Sequence, residues 1–244
     1  AGESMTNPSD YSKNNIIGGI NLIRACEEYG INKFIFSSSA AVYGAPEYNP
    51  IDELHPLAPS NFYGYTKLAI ENNLSWFSRL KGLRYAALRY FNAAGYDINQ
   101  RIIGKEINPQ NLIPIVMEVA SGIRKKLSVY GNDYSTKDGT GIRDYIHVSD
   151  LACGHIMALN YLIKHEKDLT VNLGTGDGHS VLDIISMARK VSNKKIEYEF
   201  TGRRDGDPGK VIAGSDNAKK LINWGPKYSH LHTIISSTWN IYNR

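Results

Sequence analysis

Apolar residues recur at helical spacing over Tyr11–Tyr29, where Ile16, Ile20, Ile23 and Cys26 share one stripe, and Gly30 offers the left-handed stop on which many helices end. The short apolar run Phe34-Ile35-Phe36 predicts a parallel strand covered on both faces, closing in Ser37-Ser38-Ser39. A proline-rich connection (Pro46, Pro50, Pro56, Pro59) leads into a predicted helix from about Phe62 to Leu80, and Tyr85–Leu88 follows as another strand. Helix, strand, helix, strand implies right-handed crossovers onto a parallel sheet, hence an α/β fold.

Farther along, Asn92–Gln110 is rich in Gly and Asn and reads as a long loop. Leu112–Gly122 is predicted helical, Leu127–Tyr130 and Tyr145–Val148 are predicted strands, and Leu151–Leu162 is a predicted helix capped by Ser149. Val171–Leu173 reads as a strand, Ser180–Val191 as a helix whose Ser180 and Asp183 suit a capping box, and Ile196–Phe200 as a last strong strand. Arg203–Gly209 is a charged loop. The sequence contains no internal repeat, low-complexity stretch or clean linker, so two lobes are expected to interleave along the chain.

Composition narrows the function classes. The 244 residues are 42% hydrophobic and 21% charged, enough for one large α/β domain with a smaller lobe. The net charge of +4 suits an anionic ligand, yet the basic residues are scattered rather than striped along a helix, which argues against nucleic acid and for phosphorylated small molecules. No apolar run reaches bilayer length, so no membrane association is expected. Cys26 and Cys153 both fall in apolar helical patterns and read as packing residues, and a chain of this size without a cysteine framework points to the cytoplasm. His147, His155 and His179 lack paired ligand spacing, so no metal site is predicted.

The chemistry concentrates at Tyr63 and Lys67. Four residues apart at the start of a helix, they lie on one face, which continues as Ile70, Leu74 and Phe77 and so turns both inward. An ammonium held beside a phenol favours the phenolate and is expected to lower its pKa, making Tyr63 a candidate general base. Ser37-Ser38-Ser39 closes a parallel strand just before that helix, and ligands of open α/β sheets bind outside such strand ends. Taken singly, a Tyr–Lys pair arises by chance and a serine run is an ordinary polar strand exit; it is their order and distance that join them into a candidate site. Gly174-Thr175-Gly176-Asp177-Gly178 has its third glycine too early for a dinucleotide fingerprint and reads as a tight turn before Ser180.

Phe36-Ser37-Ser38-Ser39-Ala40-Ala41-Val42-Tyr43-Gly44 and Tyr63-Gly64-Tyr65-Thr66-Lys67 resemble the extended short-chain dehydrogenase/reductase family. Within it, the chain is most similar to the UDP-glucose 4-epimerases, through Leu88–Gly95, Asn111–Pro114 and above all Gly131–Val148, with Arg203–Pro208 near the carboxyl end. The resemblance implies a Rossmann-like doubly wound sheet over residues 1–95 and, over 96–244, mainly a UDP-sugar lobe interleaved with late Rossmann elements. It implies NAD as cofactor, a UDP-hexose as substrate and compatibility with a homodimer. It further implies Tyr63 as base, Lys67 as its electrostatic partner and ribose contact, and Ser39 as the hydroxyl bonding the sugar's O4. Asn14 and Phe91 match residues that line the cofactor. Asn92, Asn111, Leu112, Tyr130, Arg143, Arg204 and Asp207 match residues that hold the UDP-sugar, and Val211 matches one bordering the sugar's C2 substituent, where a compact side chain is associated with acceptance of N-acetyl sugars. Paired donors of an arginine suit a diphosphate and a tyrosine ring suits uracil.

A dinucleotide site also needs a glycine-rich turn that presents backbone amides to the pyrophosphate, and no glycine triplet here has that spacing. The chain starts Ala1-Gly2-Glu3-Ser4 without a methionine, so that element is expected upstream, and these 244 residues alone are expected to bind NAD poorly and to be inactive. Two rivals are weighed. A nucleotide-sugar dehydratase would carry an Asp-Glu pair where this chain has Ser39-Ala40, and a non-catalytic nucleotide-sensing protein would show decay at Tyr63 or Lys67.

Overall fold

The computed structural model describes residues 2–204 and 206–244, and Asp205 of the charged loop lies outside them. The fold is α/β with parallel sheets, arranged in two compact units that alternate along the chain. One unit comprises Ala1–Phe91, Cys153–Leu173 and Gly214–Trp224; the other comprises Asn92–Ala152, Gly174–Ala213 and Gly225–Arg244.

In the first unit Lys33–Ser39, Arg84–Tyr90 and Leu169–Leu173 form a parallel sheet with Arg84–Tyr90 in the middle. The register places Ser38 beside Arg89 and Arg89 beside Asn172. The serine run is therefore part of the strand, not its exit. Helices Gly18–Glu28 and Phe62–Lys81 cover one side through Ile23, Ile70 and Leu74, with Leu83 of the following turn and Phe34, Phe36 and Phe77 filling in around them. Their approach depends on Gly19, because a Cβ there would stand 2.6 Å from the Ile70 Cδ1. Asn61 caps the second helix by accepting from Gly64 N at 2.9 Å, and Gly82, at φ 73°, ends it in the left-handed conformation.

The second unit is built on helices. Leu112–Ala120, Val181–Ser192 and Leu231–Tyr242 enclose a core that includes Val116, Met117, Ile184, Ile185, Ile234 and Ile235. Short strand pairs surround it: Asn92–Ala94 with Tyr145–His147, Leu127–Tyr130 with Tyr198–Thr201, and Ile142–Arg143 between Lys210–Val211 and His179–Ser180. The capping box at Ser180 and Asp183 is present in full.

Three expectations change. Asn92–Ala94 is a strand rather than the start of a loop, because Tyr145–His147 supplies its hydrogen-bond partners. Ser149 does not cap its helix: the helix runs Val148–His165, His147 Nδ1 accepts from Ser149 N at 3.0 Å, and Ser149 Oγ accepts instead from Ile98 N. The last strand is Tyr198–Thr201, shifted past Ile196, whose side chain is fully buried in the core.

Asp144 holds the second unit's loops together. It is 0% exposed, and its carboxylate accepts from Thr175 N (2.9 Å), Thr175 Oγ1 (2.7 Å), Gly176 N (3.0 Å) and Ala213 N (3.2 Å). Replacing Asp144 with Ala removes the acceptor of three backbone donors, the buried Ala213 N–H and the partly buried bonds of Thr175 and Gly176, where a buried unpaired donor costs about 1–3 kcal/mol. Chemical denaturation of Asp144→Ala is expected to show a loss of roughly 3–5 kcal/mol, and a loss below about 1 kcal/mol would mean that water replaces the carboxylate.

Candidate active site

The first unit brings Ser39, Tyr63 and Lys67 together. Ser39 is the last residue of its strand, and its Oγ accepts from Ala41 N at 3.2 Å as the cap of a 3-10 turn, which leaves its own O–H to donate. The Ser39 side chain is close enough to the half-buried Tyr63 phenol to pull its pKa down. Tyr63 is the second residue of its helix, where N-terminal backbone amides still need partners, and Tyr63 N donates to Ser4 Oγ at 3.0 Å. The helix start lies tight against the turn after the serines: a Cβ on Gly64 would stand 2.3 Å from Ala41 O. Tyr63 is thereby pressed onto the strand that carries Ser39.

Lys67, one helical turn on, donates from Nζ to Ser37 O at 3.0 Å and lies 5.1 Å from the Phe36 ring centroid and 5.5 Å from that of Tyr63. No carboxylate is within ion-pairing distance of it among the described residues. Ser37 Oγ in turn meets His155 Nε2 at 3.2 Å. Burial lowers the Lys67 pKa, since a desolvated ammonium without a counter-ion is disfavoured.

The expected fall in the Tyr63 pKa is reversed in this structure. Burial pushes the phenol above its ordinary value and the Ser39 hydrogen bond offsets only part of that. The physical reason is that Lys67 Nζ donates to a carbonyl, so the phenol gains proximity to a charge but no direct bond from it.

The cofactor-side residues fall in two places. Phe91 is half-buried and directly follows the strand Arg84–Tyr90. Asn14 is exposed within the π-helical stretch Ser12–Ile17, whereas its neighbour Asn15 donates from Nδ2 to Thr66 Oγ1 at 3.0 Å and ties that stretch to the Tyr63 helix. A one-residue widening of the helix is enough to separate these two asparagines in orientation.

In the second unit, Arg143, Asp207 and Val211 converge. Arg143 ion-pairs with Asp207 through Nη2 and donates from Nη1 to Ile142 O at 2.8 Å. Val211 pairs in register with Arg143 in the Lys210–Val211 strand, so it is fixed beside that guanidinium. Arg204 stacks its guanidinium 3.9 Å from the Tyr130 ring centroid, which joins two more predicted residues. Asn92 N donates to Asp144 O at 3.0 Å, Asn111 precedes the helix Leu112–Ala120 with its side chain exposed and unused as a cap, and Leu112 is half-buried at that helix's first position. Sequence reasoning missed Asp144 as an organiser of this region. Its signal was a second charge directly after Arg143 and before the apolar Tyr145-Ile146, where a lone carboxylate has to be satisfied internally.

Known proteins share this arrangement. Residues 1–174 match the NAD dependent epimerase/dehydratase family. The chain is 46% identical over 240 residues to a UDP-glucose 4-epimerase of Halalkalibacterium halodurans, covering 98% of this chain and 72% of that protein. It is 41% identical to a crystal structure of UDP-glucose 4-epimerase from Brucella ovis in complex with NAD, with a TM-score of 0.96 over 99% of this chain and 74% of that one. It is also 41% identical to the UDP-Glc/GlcNAc 4-epimerase from Campylobacter jejuni, with a TM-score of 0.84 over 99% of this chain and 73% of that one. With a serine, a tyrosine and a lysine gathered at a parallel strand's end and such likeness over nearly its whole length, the chain belongs to the NAD dependent epimerase/dehydratase family, in its UDP-glucose 4-epimerase branch.

Proposed function

We propose that the NAD-loaded enzyme to which this chain contributes its substrate-side residues interconverts UDP-glucose and UDP-galactose by inverting C4 of the sugar, with Tyr63 as the base. The observation that carries the reading is the gathering of Tyr63 and the half-buried Lys67 on one helical face, Nζ 5.5 Å from the phenol ring centroid, against the end of the strand that carries Ser39. Tyr63 accepts the proton of the sugar's 4-hydroxyl and later returns it, while Ser39 hydrogen-bonds the same oxygen and keeps it in line. Lys67 steadies the phenolate form that takes up that proton and is restored when the proton is returned. NAD, when bound, supplies the acceptor and donor of the C4 hydride, so the sugar is oxidised and re-reduced without net redox change. The donor set of this chain fits that cofactor: Lys67 is a desolvated ammonium with three donors and one carbonyl partner, which suits the adjacent hydroxyls of a ribose. Asn14 and Phe91 are assigned to the same side of the reaction. In the second unit Arg143 and Arg204 are assigned to the diphosphate and Tyr130 to the uracil, with Asn92, Asn111, Leu112 and Asp207 completing the hold on the UDP-sugar.

Tyr63→Phe removes the proton acceptor and keeps the ring. The NAD-loaded enzyme carrying it is expected to lose roughly 10²–10⁴-fold in kcat while its affinity for UDP, read by calorimetry, stays within about threefold. Turnover near the parent's would rule Tyr63 out as the base.

Ser39→Ala removes the hydrogen bond that pulls the Tyr63 pKa down, leaving burial to act unopposed. The base must be deprotonated to work, so the rising limb of the pH profile of kcat/KM is expected to move toward higher pH. An unmoved limb would mean that Ser39 does not bear on the titration of Tyr63.

Val211 is compact and leaves room for an acetamido group, and likeness to the Campylobacter jejuni UDP-Glc/GlcNAc 4-epimerase supports acceptance of N-acetylated sugars as well. The parent is expected to convert both UDP-hexoses and their N-acetyl forms, and Val211→Tyr to lose the N-acetyl activity by tenfold or more, roughly what crowding one pocket by a ring produces. Equal handling of both substrates by the tyrosine variant would remove Val211 from the pocket.

A further inference from the structure

Three successive turns of the Phe62–Lys81 helix each grip one of the three serines. Tyr63 lies near Ser39 and feels its hydroxyl, Lys67 donates to the carbonyl of Ser37, and Glu71 accepts from Ser38 Oγ at 2.5 Å. Residues four apart stack on one helical face, so the grip is a single line of side chains along the strand. The third contact differs from the others in being sealed: Ser38 is 0% exposed and Glu71 6%. A buried carboxylate requires a counter-charge, and Arg89 provides it, donating from Nε to Glu71 Oε1 at 3.0 Å and from Nη2 to Oε2 at 2.5 Å. Arg89 is the sheet neighbour of Ser38, and on its other side the sheet neighbour of Asn172. Tyr43, which follows the serine strand, closes the row: its hydroxyl accepts from Arg89 Nη1 at 3.2 Å and donates to Asn172 Oδ1 at 2.7 Å.

This row has no exposed ligand face, and it lies directly beneath the reacting hydroxyls. Ser38 and Ser39 are adjacent at the end of one strand, so fixing the backbone through one constrains the pose of the other. We propose that Glu71, neutralised by Arg89, is a positioning residue that anchors Ser38 and so holds the Ser39 hydroxyl at Tyr63. The proposal rests on the reading of Tyr63 as base. It asks Glu71 to act through Ser38 and never to touch the substrate. Loss of the anchor lets the strand and the helix start drift apart, which moves the Ser39 hydroxyl away from Tyr63, and a misplacement of about 1 Å costs enzymes up to about 10²-fold in rate.

Single removal of either charge would leave the other buried and alone, so the test uses two paired variants, both uncharged. Glu71→Gln with Arg89→Met keeps an acceptor for Ser38, whereas Glu71→Leu with Arg89→Met does not. In NAD-loaded enzyme the Gln/Met pair is expected to keep kcat within about fivefold of the parent. The Leu/Met pair is expected to lose roughly 10–100-fold in kcat with KM within about threefold. In parallel, ¹³C-tyrosine NMR of this chain, with the Tyr63 signal identified by its loss in Tyr63→Phe, is expected to show Tyr63 titrating at higher pH in the Leu/Met pair and unchanged in the Gln/Met pair. Equal kcat and equal Tyr63 titration in the two folded pairs would overturn the proposal. A Tyr63→Phe enzyme that turns over like the parent would instead overturn the base assignment, and the NMR comparison would still decide whether Glu71 sets the environment of Tyr63.

Discussion

Everything in the first unit accommodates one buried cation. Arg89 sits in the central strand of the sheet at 5% exposure, where an unpaired charge would cost far more than a small domain's net stability. Burial alone would favour losing the proton, but the bidentate contact with Glu71 outweighs it and holds the guanidinium charged. That solution constrains four other elements. The helix must place Glu71 over the sheet, the serine strand must present Ser38, the segment after it must present Tyr43, and the outer strand must present Asn172. Burial drives the Tyr43 phenol up to about 12, offset in part by Arg89, so that hydroxyl stays neutral and can donate to Asn172. Breaking a pair of this kind from one side costs about 3–5 kcal/mol, a large share of the roughly 5–15 kcal/mol by which domains are stable. Asn172 extends the row outward, donating to Ile51 O and Gly214 O, while Glu53 accepts from Asn172 N.

The same low-polarity surroundings govern the neighbouring titratable groups, with opposite outcomes. Arg89 keeps its charge because a carboxylate is in contact. Lys67 has only a carbonyl and two aromatic faces, so burial prevails and its pKa falls. Tyr63 has one hydroxyl donor, and burial prevails there too, raising its pKa. Desolvation, and not a preformed ion pair, thus sets the direction of both shifts.

Which features were legible in the sequence follows from how local their causes are. The Ser180–Asp183 capping box, the Tyr63–Lys67 face and the serine strand each depend on residues within a turn or two, and each can be read from spacing. The helix Leu231–Tyr242 was equally legible, since Leu231, Ile234, Ile235, Thr238 and Trp239 follow helical periodicity, but it lay past the motifs that drew attention. Asn92–Ala94 could not be found locally, because three residues become a strand only when Tyr145–His147 lies alongside. The direction of the Tyr63 shift was also out of reach: the spacing gives the neighbour's identity, but the sign depends on how much water each group loses. Pairing of Arg89 with Glu71 across 18 positions is a property of the sheet register, which no window of sequence contains.

The second unit meets the opposite electrostatic demand, to keep cations available and still ordered. Arg143 is tied to Asp207 and to the carbonyl of Ile142, which fixes its planar fork in one orientation. A flexible arginine gives up on the order of 1–2 kcal/mol of side-chain freedom when it is immobilised, and here the fold has already taken that loss. Asp207 remains partly exposed, at 35% of its side chain, so the pair is open to competition from a ligand with greater charge. A diphosphate offers more negative charge than one carboxylate and matches the same fork, so it can share or displace Asp207 without reorienting Arg143. Arg204 is held by another means, stacked on the Tyr130 ring, which leaves its in-plane donors uncommitted to that contact. Arg143 is thus oriented by a carboxylate and a carbonyl and Arg204 by a π-face, so the fold has already met most of the ordering cost of both.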